Sequence, residues 1–170
     1  MFIYTILGIT LLISLITDVR KRKILNIVTL PAILIGFVYN TATLGLEGFL
    51  FSGKGFLAGA AFLLIPYILG GMGAGDVKLL AAIGALTGTM FTFYSFIYIA
   101  LIGGFISVFL IMKNKGIWNS IKSFFFIMVF LRSSIGSILL NENKKSSISF
   151  PYGVAIVLGT LCEVIIGVMK

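Results

Sequence analysis

The chain has 170 residues, of which 59% are hydrophobic and only 11% charged, with mean hydropathy +1.17 and formal net charge +8. A soluble domain of this size carries about twice that charged fraction, so the composition excludes an ordinary soluble enzyme and points to backbone that meets lipid, where helices satisfy their own polar groups. The apolar runs do not alternate as barrel strands do, and the Phe residues sit inside those runs rather than on a basic stacking platform, so no nucleic-acid partner is expected.

Taken in chain order, the apolar stretches predict an all-α, polytopic membrane protein, a bundle of about six transmembrane helices. The first runs from Phe2 to Thr17 and ends in Asp18-Val19-Arg20-Lys21-Arg22-Lys23. A cleaved signal peptide has the reverse order, basic first. The second runs from Ile24 to Leu44 with Pro31 inside it, and a short loop is expected to hold Glu47 and Lys54. The third runs from Phe56 to Leu69. A glycine-rich break follows, Gly70-Gly71-Met72-Gly73-Ala74-Gly75-Asp76. The fourth helix, Asp76 to Gly88, is short, about 18 Å at 1.5 Å per residue against a hydrocarbon core of about 30 Å. The fifth runs from Met90 to Met112. Residues 113–150 read as a cytoplasmic or interfacial segment, with Ile117 to Leu140 as an amphipathic stretch because it carries Lys122 and Arg132. The last helix runs from Pro151 to Val168. No repeat and no second domain is visible, so residues 1–170 read as a single membrane-embedded domain.

The basic residues set an orientation. With six spans and the N-terminus outside, Arg20, Lys21, Arg22, Lys23, Lys78, Lys113, Lys115, Lys122, Arg132, Lys144 and Lys145 fall on the inner side, and only Lys54 and Lys170 on the outer. The positive-inside rule selects this arrangement. It predicts a multi-pass protein of the cell membrane with Asp18 and Asp76 both toward the cytoplasm.

Only five acids exist, Asp18, Glu47, Asp76, Glu142 and Glu163. Asp18 closes the first predicted helix and Asp76 opens the fourth on the same side, so the two can face each other if those helices are neighbours. Two close carboxyls cannot both ionise readily, and one holds a proton. The ionised one can take a proton from water while the protonated one polarises a peptide carbonyl, which is hydrolysis without metal, cofactor or covalent intermediate. The bland alternatives are an N-cap role for Asp76 and a juxtamembrane pairing of Asp18 with Arg22. Arg20 to Lys23 read as topology anchors, and Lys78 as an anchor or a site residue. Gly71, Gly73 and Gly75 are expected to allow positive φ and the close approach of an extended substrate. The chain has no His, which removes Ser–His and Cys–His mechanisms and an H-E-x-x-H zinc site. The lone Cys162 excludes an intramolecular disulfide and a multi-Cys zinc site, and reads as a small packing residue.

At these residues the sequence resembles the type IV prepilin peptidase family, a group of GxGD aspartic proteases. Gly70 to Leu79 is close to the family's G-G-x-G-x-G-D-x-K-L pattern. Thr17-Asp18, the basic run and Ile24-Leu25-Asn26 are similar to the first catalytic aspartate and its I-P-N-like sequel, with Leu25 where proline is common. Pro151-Tyr152-Gly153 resembles the P-F-G that opens the last helix. The resemblance implies cleavage of short basic leader peptides from prepilins or pilin-like proteins at the cytoplasmic face, with Asp18 and Asp76 as the catalytic pair, Gly71, Gly73, Gly75 and Lys78 as substrate-binding or backbone support, and the lipid bilayer as its medium. Long members carry a further cytoplasmic region with two Cys-x-x-Cys pairs, linked to N-methylation. This sequence has neither, so it resembles a short, peptidase-only member. Presenilin-like proteases share GxGD but place a Tyr before the first aspartate in mid-helix; here Thr17 precedes Asp18 beside four basic residues. A transporter or channel with a glycine-broken helix and an intramembrane Glu163 is the competing class.

Overall fold

A computed structural model of the chain describes residues 2–68, 72–114 and 152–168. The chain divides into two units, Met1–Gly103 with Pro151–Lys170, and Gly104–Phe150. The first holds every described residue of the candidate site. The expectations for Gly71, Glu142 and the 117–140 stretch lie outside the described residues.

The described residues form five helices: α1 (Phe2–Lys21), α2 (Asn26–Leu44), α3 (Leu46–Ile68), α4 (Ala74–Asn114) and α5 (Tyr152–Val168). Phe2–Lys21, Asn26–Leu44, Leu46–Ile68 and Ala74–Ile106 are long and apolar enough to cross a membrane. The all-helical membrane architecture therefore stands, with five helices among the described residues, the fourth of them broken in two at Gly88.

The predicted loop around Glu47 and Lys54 is not there. A single residue, Gly45, with φ +61°, turns the chain from α2 into α3, and its N–H donates to the Thr41 carbonyl at 2.8 Å. Glycine takes that conformation without a Cβ penalty, so the connection needs no further length. Glu47 lies in the first turn of α3, where the helix dipole favours an acid, and Lys54 projects from the exposed side of the same helix.

The segments predicted as a fourth and a fifth helix are both present, joined end to end within α4 across the non-helical Gly88 (φ +82°, ψ 176°). Gly55 and Gly59 of α3 pack on Gly84 and Leu80, while Phe62, one turn further along α3, stacks on Phe96 with ring centroids 5.0 Å apart. A straight helix would carry residue 96 about 24 Å beyond residue 80, so the chain reverses at Gly88. The ring of Phe51 occupies the place where a Cβ of residue 88 would stand, and a positive φ there requires glycine as well.

The first three helices each turn one narrow stripe inward and leave large apolar side chains outside, whereas residues 79–86 of α4 are buried on every side. In α1 the buried residues are Leu7, Thr10, Leu11, Ser14 and Asp18; in α2, Thr29, Ala32, Gly36 and Asn40; in α3, Gly48, Ser52, Gly55, Gly59 and Leu63. The steps of three and four residues keep each set on one helix face. Small and polar residues dominate these stripes, because lipid is as apolar as leucine and close backbone contact drives helix association instead. Asn40 is the central polar contact: its Nδ2 donates to Ser52 Oγ at 2.9 Å and approaches the carbonyls of Ala85 and Leu86 at 3.3 and 3.4 Å. Ser52 Oγ in turn donates to the Gly36 carbonyl at 3.2 Å. This knot joins α2, α3 and α4 near the Gly88 reversal, at the end of the bundle away from Asp76.

Candidate active site

Asp18 occupies the last buried position of the α1 stripe, just before the helix ends. The end is made by Arg22, which takes φ +50° and donates its N–H to the Asp18 carbonyl at 2.8 Å. A left-handed residue after the last turn is a common helix stop. Arg22 thus meets Asp18 through backbone, and the predicted side-chain pairing of the two is replaced by this turn. The chain then passes through Lys23, Ile24 and Leu25 into α2.

Asp76 lies in the first turn of α4. Its Oδ2 accepts the Gly73 N–H at 3.1 Å, and its own N–H donates to the Gly73 carbonyl at 3.1 Å. Gly73 is therefore the residue at the helix cap, and Asp76 sits three positions later. The acid reaches back to the cap amide, the second half of a capping box. The N-cap expectation for Asp76 is corrected to this position.

Asp18 and Asp76 are both buried, at 5% and 8% exposure. They line one cavity of about 240 Å³ with Arg22, Lys23, Ile24, Gly73, Ala74 and Gly75. The tertiary fold thus brings together acids that lie far apart in sequence.

The glycines work differently from expectation. Among the described residues the only glycines with positive φ are Gly45 and Gly88; Gly73 and Gly75 are not among them. The bare face of Gly75 is covered by Ile24, whose Cβ would lie 2.9 Å from a Cβ built on residue 75. Gly75 therefore lets the α1–α2 turn seat itself against the start of α4. Lys78 joins the same two segments: its Nζ donates to Asn26 Oδ1 at 2.9 Å. Two residues for which no site role was predicted, Ile24 and Asn26, thus tie the Asp18 side of the cavity to the Asp76 side. Arg22 and Lys23, read from the sequence as anchors, contribute to the cavity wall.

The last helix completes the surroundings of Asp18. Gly153, in the first turn of α5, faces the carboxyl with its backbone. Oδ2 of Asp18 nevertheless has no hydrogen-bond partner among the described residues. The Pro151-Tyr152-Gly153 motif signalled this helix start but not which residue it would meet. Glu163 is half-buried on α5, about 15 Å along the helix from Gly153, and is not part of the cavity.

Two buried acids on different helices thus share one cavity, and Asp76 closes the Gly73-Ala74-Gly75-Asp76 run. The family model of the type IV leader peptidases matches residues 5–108, a stretch that holds both aspartates, and the chain belongs to that family. No curated protein and no solved structure matches the chain.

Proposed function

We propose that this member of the type IV leader peptidase family is a membrane aspartic endopeptidase that removes leader peptides from prepilins or pilin-like proteins at the cytoplasmic face of the cell membrane. The observation that carries the reading is the shared cavity of Asp18 and Asp76. In the proposed reaction the pair holds one proton between them. The ionised carboxylate takes a proton from water as the water oxygen attacks the scissile carbonyl carbon, and the protonated carboxyl gives its proton to the carbonyl oxygen. The tetrahedral gem-diol then collapses: one of its hydroxyls returns a proton to the carboxylate that gave one, the C–N bond breaks, and the leaving amine takes up the proton held by the base, which restores the singly protonated pair. Gly73 and Gly75 support the start of α4, and Lys78 and Asn26 hold the facing segments. Gly71 belongs to the same GxGD run and is proposed as backbone support with them.

The test is incubation of the purified protein with a prepilin, with chelator present, and mass measurement of the product. Cleavage at one bond after a short basic leader is the expected result. An intact substrate, or activity lost to chelator, sinks the metal-free aspartate mechanism.

A further inference from the structure

Beneath the cavity, one hydroxyl stands out. Ser14 is fully buried, at 0% exposure, and its Oγ has no hydrogen-bond partner among the described residues. It lies one helical turn before Asp18 on the same buried stripe of α1. The Oδ2 of Asp18 is buried and unpartnered as well. Three buried hydroxyls in these helices bond back to the carbonyl one turn earlier, Thr10 to Ile6 at 2.8 Å, Thr92 to Gly88 at 2.7 Å and Thr160 to Ile156 at 2.7 Å, whereas those of Thr29 and Ser95, neither within a helical turn of an aspartate along its helix, have no partner among the described residues. Ser14 does not bond back either.

Side chains four apart on a helix have Cβ atoms roughly 5–6 Å apart. That separation leaves room for a single bridging water between a short hydroxyl and a carboxyl. Buried polar atoms without a protein partner are the usual partners of such a water, and a bridging water is nearly as favourable as a direct bond.

We infer that Ser14 is a positioning residue for Asp18, its Oγ and the Asp18 Oδ2 sharing one ordered water that fixes the carboxyl toward the cavity. The hydroxyl touches neither substrate nor the attacking water; it acts through Asp18. The inference deepens the proposed aspartate-pair reading and rests on it for its catalytic consequence.

Ser95 supplies the control. It is equally buried, at 0% exposure, and its Oγ is equally unpartnered. It lies in α4, about 12 Å along the helix from Gly103, which packs beside Tyr152 and Ala155 at the start of α5. Ser14→Ala is expected to lower kcat about tenfold, the loss of one hydrogen bond, with KM unchanged. Ser95→Ala is expected to leave kcat unchanged. Ser14→Cys, close in volume but a weak donor, reproduces the loss and carries the test if the Ala variant does not insert. Wild-type kcat in the Ser14 variants, or equal losses at positions 14 and 95, would overturn the inference. A second measurement is independent of cleavage: the infrared carboxyl band of Asp18, identified by its loss in Asp18→Asn, shifts in Ser14→Ala. An unmoved band rejects the Ser14 role and leaves the peptidase reading intact. Failure of the wild-type protein to cleave any prepilin rejects that reading without touching the band.

Discussion

Gly153 of α5 stands against the carboxyl of Asp18: a Cβ on residue 153 would lie 2.5 Å from Oδ2 and 2.8 Å from Cγ. The first turn of the last helix can approach the acid this closely only because it carries no side chain there. Asp18 is consequently held between its own helix, the α1–α2 turn and the start of α5.

Gly153→Ala forces either the carboxyl or α5 to move. Overpacking of this kind costs about 1–3 kcal/mol, and here the displaced group is half of the proposed pair. The expected outcome is a loss of cleavage rate much larger than the loss of thermal stability. Unchanged turnover with a lowered melting temperature would mean that the contact only packs the bundle.

At Asp76 the structural and the catalytic roles can be separated. Asp76→Asn keeps an oxygen that can accept the Gly73 N–H, whereas Asp76→Ala removes it. Cleavage is expected to vanish in both, while only the Ala variant loses stability, by about 1 kcal/mol. Asp18→Asn should likewise insert and be inactive. Substantial turnover in Asp76→Asn would reduce the residue to a cap.

The Lys78–Asn26 bond is exposed, so its contribution to stability is small, about 0–1 kcal/mol. Its value lies in joining the two aspartate-bearing segments. Lys78→Met and Asn26→Ala are each expected to lower kcat several-fold, and the double variant to be no worse than the poorer single one, as two ends of one interaction behave. Additive losses would show that the two side chains act separately.

Asn40 is a stability residue by the same geometry. Removing its amide leaves Ser52 Oγ without this donor inside the bundle. Asn40→Leu should destabilise the protein by about 1–3 kcal/mol in denaturant unfolding and leave KM for substrate unchanged, because the knot lies near the Gly88 reversal, at the end of the bundle away from Asp76. A KM shift without destabilisation would contradict that assignment.

A shared proton also predicts a bell-shaped dependence of kcat/KM on pH, with two apparent pKa values that belong to the pair. A rate that rises monotonically with pH would argue against the dyad.

The sequence by itself determined the membrane class, because hydropathy along the chain reports how long a stretch can stay in lipid. It also singled out Asp18 and Asp76, because a membrane protein with five acids and a GxGD run leaves few groups able to move protons. It identified Gly88 as the boundary between two successive helices, and it placed Glu47 and Lys54 in a loop because charge was read as absence of helix. Which face each helix buries was decided by the tertiary structure. Lipid and protein interior are alike in polarity, so apolar periodicity does not mark the inner side; the stripes of Ser, Thr, Gly and Asn do, and the step of four from Ser14 to Asp18 was the available signal. The contacts that shape the cavity, Gly75 with Ile24, Lys78 with Asn26 and Gly153 with Asp18, join segments far apart in the chain, and only the packing of helices against one another brings them within reach.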